Sequence, residues 1–63
     1  MTLEAFLTVI AGEIVEIVDN RQTIYAADKN AIRANKAELL QREIYRVEPH
    51  GLTAFTVYLQ RAV

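Results

Sequence analysis

The sequence predicts a two-layer α+β domain of order α-β-β-α-β-β, with two hairpins forming one antiparallel sheet and both helices on its apolar face. Three observations carry this prediction. Residues 53–59 alternate apolar and polar side chains at period two, the pattern of a half-buried strand. A β-branched run, Ile14-Val15-Glu16-Ile17-Val18, reaches the turn residues Asp19-Asn20 and is followed by a second strand-like run. Two stretches with helical spacing or helix-forming composition stand before these hairpins.

The first helix opens at Thr2, a plausible N-cap, with Glu4 in the first turn where the helix dipole favours an acid. Leu3, Phe6, Leu7 and Ile10 then fall at i, i+3, i+4 and i+7, and Gly12 ends the helix. A helix this short is marginal alone and must dock on the sheet.

In the first hairpin, Asn20 is able to take φ > 0. Pairing Asp19 with Gln22 sets Ile17 opposite Ile24 and Val15 opposite Ala26 as one apolar face. The other face then holds Val18 with Thr23, Glu16 with Tyr25 and Ile14 with Ala27.

Residues 28–41 are rich in helix formers, with Asp28 or Asn30 as cap and Ile32, Lys36, Leu39 and Leu40 as a narrow apolar stripe. Asn35 leaves open a loop followed by a shorter helix. One long helix running on into Ile44 and Val47 is the rival reading.

A strand over residues 43–48 is preferred because of the turn that follows it. A two-residue loop would put Tyr45 on the face of Ala54 and mix the faces. A three-residue loop, Pro49-His50-Gly51, pairs Glu48 with Leu52, Val47 with Thr53 and Tyr45 with Phe55, and the faces agree. Pro49 presets a turn φ, and Gly51 supplies the left-handed residue. Tyr45, Val47, Phe55, Val57 and Leu59 face the core; Ile44, Arg46, Glu48, Ala54, Thr56 and Tyr58 face outward.

The chain of 63 residues is read as one domain, 1–63. A domain of this size buries only about 60% of the surface its unfolded chain exposes, so its margin is thin. Seven Lys plus Arg against eight Asp plus Glu leave a net charge of −1, which gives no bulk attraction to nucleic acid or anionic membrane. No cysteine is present, which excludes disulfides and thiolate metal sites. Met1-Thr2-Leu3-Glu4 lacks the basic start of a signal peptide, and the apolar run after it is too short for a membrane span. The expectation is a soluble protein of the cytoplasm.

Met1-Thr2-Leu3 with Phe6-Leu7, then residues 15–20 ending in Asp19-Asn20, then residues 39–44 ending in Arg42-Glu43-Ile44, resemble short uncharacterised phage and mobile-element proteins of Gram-positive bacteria. The chain departs from them by a longer segment over residues 29–37. The resemblance implies a phage-like setting in which small proteins bind host machinery, for example as anti-defence or anti-CRISPR proteins. It implies no activity and no catalytic residues.

Serine and cysteine are both absent, which removes the usual nucleophiles. His50, the sole histidine, lies in the expected turn without the partners that catalysis or metal binding requires. Glycine occurs only at Gly12 and Gly51, too few for a phosphate-cradling loop. Glu13, Glu16 and Asp19 read as acidic surface, because strand alternation separates Glu16 from the other two. No catalytic, metal or cofactor site is expected.

Two surface features remain as partner-binding candidates. Lys29, Arg33 and Lys36 form one basic stripe if the second helix forms. On the outer sheet face, Ile14, Tyr25, Ile44 and Tyr58 stand among Arg46 and Thr56, a composition typical of protein interfaces. The expected function is a non-enzymatic protein-binding module, an inhibitor or adaptor of a host protein, with a homodimer as a further use of that face. The alternative is a small nucleic-acid-binding or nucleic-acid-mimicking protein, which the balanced charge disfavours.

Overall fold

The computed structural model describes residues 1–60. The elements are α1 (Leu3–Val9), β1 (Ile14–Asp19), β2 (Gln22–Ala27), α2 (Lys29–Asn35), a single 3-10 turn (Ala37–Leu39), β3 (Ile44–His50) and β4 (Ala54–Leu59). Their order is the expected one, but the sheet is mixed rather than purely antiparallel. Its strand order is β2-β1-β4-β3. Each hairpin is antiparallel, and the two hairpins join through a parallel ladder between β1 and β4 that pairs Val15 with Phe55 and Ile17 with Val57. The connection between these strands runs through β2, α2 and β3, which is ample for a parallel return.

That join places the most apolar strands at the centre. Val15, Ile17 and Val57 are fully buried, and they pack in one cluster with Leu3, Phe6 and Leu7 of α1, Ile32 of α2 and Leu39 of the 3-10 turn. Both helices therefore cover one face, and among the described residues no layer covers the other. Thr2 caps α1 by accepting from the Ala5 N–H at 3.2 Å. The helix stops at Ile10, two residues before Gly12, where ψ turns to 162°. Asp28, not Asn30, caps α2 by accepting from Ala31 N at 2.8 Å. That helix ends at Asn35, so the long-helix rival is not the structure adopted.

Each edge strand contains an irregularity in register that moves expected outer residues to the core side, Tyr25 and Ala27 in β2 and Ile44 in β3. In the first hairpin the register shifts between Ile17 and Val18, so that Ile17 faces Tyr25 rather than Ile24. Ile24 is left 40% exposed, and Tyr25 packs against the core beneath the sheet. In the second hairpin the shift falls between Ile44 and Arg46. Ile44 pairs with Leu59 and is buried in the core, while Tyr45 is turned outward and is 65% exposed. The expected outward placement of Tyr25 and Ile44 is thus corrected: an extra residue in a strand reverses the alternation beyond it.

Beyond the irregularity at Tyr45, the second hairpin has the expected faces but a different register. Val47 pairs with Val57 and Glu48 with Thr56, and the loop is Gly51-Leu52-Thr53, not Pro49-His50-Gly51. Pro49 and His50 extend β3 instead. Proline is tolerated there because β3 is an edge strand, whose outer side needs no N–H donor. The shift is an even number of residues, so Phe55, Val57 and Leu59 stay on the core side. His50 accordingly belongs to a strand rather than to the turn.

Asn20 and Arg21 both have positive φ, 54° and 67°, the pattern of the type I′ turn that matches strand twist. Gly51 has φ of 69°, and a Cβ there would meet nothing within 4 Å. The cost of a side chain at Gly51 is therefore conformational. Gly51→Val should lower stability by roughly 1–3 kcal/mol in urea denaturation, and Gly51→Asn by less, because asparagine tolerates φ > 0. Ile17→Ala, at the middle of the core, should cost about 2–5 kcal/mol in the same measurement. Equal stability of either β-branched or truncated variant with the parent would contradict the packing described.

Candidate functional site

Four outward side chains, one from each strand, form a continuous hydrogen-bonded line across the uncovered face. On β2, the Thr23 hydroxyl donates to Glu16 Oε2 of β1 at 2.9 Å. The Thr56 hydroxyl of β4 donates to Glu16 Oε1 at 3.1 Å. On β3, His50 Nε2 lies 2.5 Å from Thr56 Oγ1. The Thr56 hydroxyl gives its proton to Glu16, so its oxygen accepts from the His50 tautomer that carries hydrogen on Nε2. Thr56 is 3% exposed, and this line satisfies it on both sides. The register supplies the geometry: Glu16 stands directly across from Thr56 in the parallel ladder.

Beside this line lies a second cluster on β3 and β4. Tyr58 donates from its hydroxyl to Glu48 Oε1 at 2.5 Å, and Arg46 Nη2 binds Glu48 Oε2 at 2.6 Å. The Arg46 guanidinium sits 5.7 Å from the Tyr58 ring centre, within cation–π range. The Tyr45 ring lies 6.0 Å from that of Tyr58, tilted by 47°. Arg46 pairs with Tyr58 across the ladder, so the cluster follows directly from the register.

The expected site residues divide on this evidence. Ile14, Arg46, Thr56 and Tyr58 are on the outer face, with Ile14 47% exposed and Thr56 buried beneath its neighbours. Tyr25 and Ile44 are on the helix side. The basic stripe is not one free surface. Lys29 turns inward and donates to Ile10 O at the end of α1 at 2.9 Å, the position where a cation suits the helix dipole. Lys36 lies beyond α2 as its C-cap and sits 5.4 Å from the Tyr25 ring centre, while the Tyr25 hydroxyl accepts from Asn35 Nδ2. Arg33 is exposed in the last turn of α2.

Sequence reasoning assigned Thr56 and Glu16 to the correct face but did not link them, because the link depends on which strands are neighbours. It also placed Glu48 on that face, but left out Tyr45 and His50. The alternation of a seven-residue strand, Ile44–His50, would have found His50. Tyr45 required knowledge of the irregular register.

Among the described residues there is no pocket and no group of three His, Asp or Glu side chains placed to hold a metal ion. No helix among them is long and apolar enough to cross a membrane. The chain matches no protein-family model, no curated protein and no solved structure.

The Glu48 carboxyl is held below its usual range, first by the Tyr58 hydroxyl bond, then by the charges of Arg46 and His50, with partial desolvation opposing. The Tyr58 hydroxyl is held above its usual range, first because ionisation would remove the proton it donates to Glu48, then by partial desolvation and the facing Glu48 charge. The signs follow. A depressed carboxyl stabilises the fold above the ordinary carboxylate range and loses that contribution as pH falls through the folded value. A raised phenol stabilises the fold below its unfolded value and loses that contribution in strong base. Tyr58→Phe should therefore flatten both the acid and the alkaline limbs of a stability-against-pH profile. Unchanged limbs would mean that the Tyr58–Glu48 bond does not form in solution.

Proposed function

We propose that the chain is a non-enzymatic protein-binding module that docks on a larger protein through the Tyr45–Arg46–Tyr58 corner of its uncovered sheet face. One observation carries this reading: an aromatic pair, exposed Tyr45 and half-buried Tyr58, with the Arg46 guanidinium over the Tyr58 ring, stands on a face that neither helix covers. Tyrosine and arginine are the residues that most often anchor protein interfaces. Tyr58 and Arg46 are already held in place by Glu48, so docking would cost little side-chain entropy. The neighbouring carboxylates Glu16 and Glu48 would repel a phosphate backbone, which supports a protein partner over nucleic acid.

In the phage or mobile-element setting that the sequence resembles, the partner is a host protein of the cytoplasm and the module an inhibitor or adaptor. Tyr45→Ala and Arg46→Ala should leave circular dichroism unchanged, since surface changes cost within about 0.5 kcal/mol. Together they should weaken binding to a captured host partner by at least about 2 kcal/mol in titration calorimetry. A partner held with equal affinity by the double variant would remove this corner from the interface.

A further inference from the structure

The two edges of the sheet are not alike. The β3 edge carries Arg46 and Glu48, and Pro49 removes a backbone donor from it. Charges and proline are the usual guards of a sheet edge. The other edge, β2 (Gln22–Ala27), contains no charge and no proline. A bulge can also blunt an edge, but here the irregularity leaves Ile24 40% exposed at the middle of the strand. Opposite charges flank the strand, with Arg21 before it and Asp28 after it.

We propose that β2 pairs antiparallel with β2 of a second copy of this chain about a two-fold axis. Centred on Ile24 and Tyr25, that pairing sets Gln22 opposite Ala27 of the partner copy and Thr23 opposite Ala26. It also brings Arg21 of each copy beside Asp28 of the other, so the charge match occurs twice. A parallel or shifted pairing loses the match. The two sheets become one continuous sheet, the exposed Ile24 side chains meet near the axis, and the Tyr45–Arg46–Tyr58 corner on the far edge stays free. This inference does not depend on what that corner binds. An edge pairing of six residues buries less than a standard interface of about 800 Å² per partner, so the dimer forms at high rather than trace concentration.

Sedimentation velocity over a range of concentrations tests it, with circular dichroism as the folding control. The parent chain should dimerise, and Ile24→Lys should raise the dissociation constant by at least about tenfold while the monomer stays folded. Arg21→Asp and Asp28→Lys should each weaken the homodimer, and an equimolar mixture of the two should recover association as a heterodimer. Asp28 also caps α2, so Asp28→Asn, which keeps the cap and removes the charge, should weaken the homodimer even if Asp28→Lys unfolds. A chain that stays monomeric at millimolar concentration overturns the proposal. So does a dimer indifferent to Ile24→Lys, a dimer lost instead with Tyr45→Ala, or a monomer whose β2 amide resonances respond only to an extended peptide.

Discussion

The parallel ladder between β1 and β4 holds the two hairpins in one sheet. Each hairpin alone would be a two-stranded ribbon, which is marginal in water. Joined, they bring Val15 and Ile17 beside Phe55 and Val57, and the resulting apolar surface is wide enough for two seven-residue helices to dock on it. Neither helix has the length to persist by itself. Their stability comes from Leu3, Phe6, Leu7 and Ile32, whose burial exists only because the central ladder exists.

The ladder also has to be closed at its far end, and Arg42 does this. Its guanidinium reaches Asp19 at the end of β1, at 3.2 and 3.3 Å, and the backbone oxygen of Gln60 beyond β4, at 3.0 Å. The same segment receives the start of the chain: Leu3 N donates to Arg42 O, and Ile44 N donates to Met1 O. One short stretch thus ties α1, the end of β1 and the end of β4 together. A bidentate, partly buried pair of this kind is worth more than an exposed ion pair, because it fixes geometry as well as charge.

How far the fold was legible in the sequence depends on strand regularity. The central strands alternate without interruption, and the sequence placed Val15, Ile17, Phe55, Val57 and Leu59 correctly on the core side. The edge strands do not alternate cleanly, and Tyr25 and Ile44 were misplaced there. A single extra residue reverses every side chain after it, and nothing in Ile24 or Tyr45 marks it as the extra one. Pro49 misled for a different reason. It is a good turn residue and an acceptable edge-strand residue, and only strand order decides between these. Strand order itself was out of reach, because hairpin signals are local and the β1–β4 pairing is not. The same gap hid the polar line, whose Glu16–Thr56 bond spans 40 residues of chain.

The polar line in turn limits where the proposed partner could dock. A bare four-stranded face with apolar side chains at its centre would be a template for indiscriminate association. Here the centre is occupied by Thr23, Glu16, Thr56 and His50, whose polar groups already satisfy one another. A partner placed over them would have to displace water without gaining hydrogen bonds from Thr56, which has none left to give toward solvent. The apolar and aromatic atoms lie toward the rim instead, at Ile14 on one end and at Tyr45 and Tyr58 on the other. The face is therefore apolar and aromatic at its corners and hydrogen-bonded at its centre, and under the proposed reading a partner would take its binding energy where Tyr45, Tyr58 and Arg46 stand together.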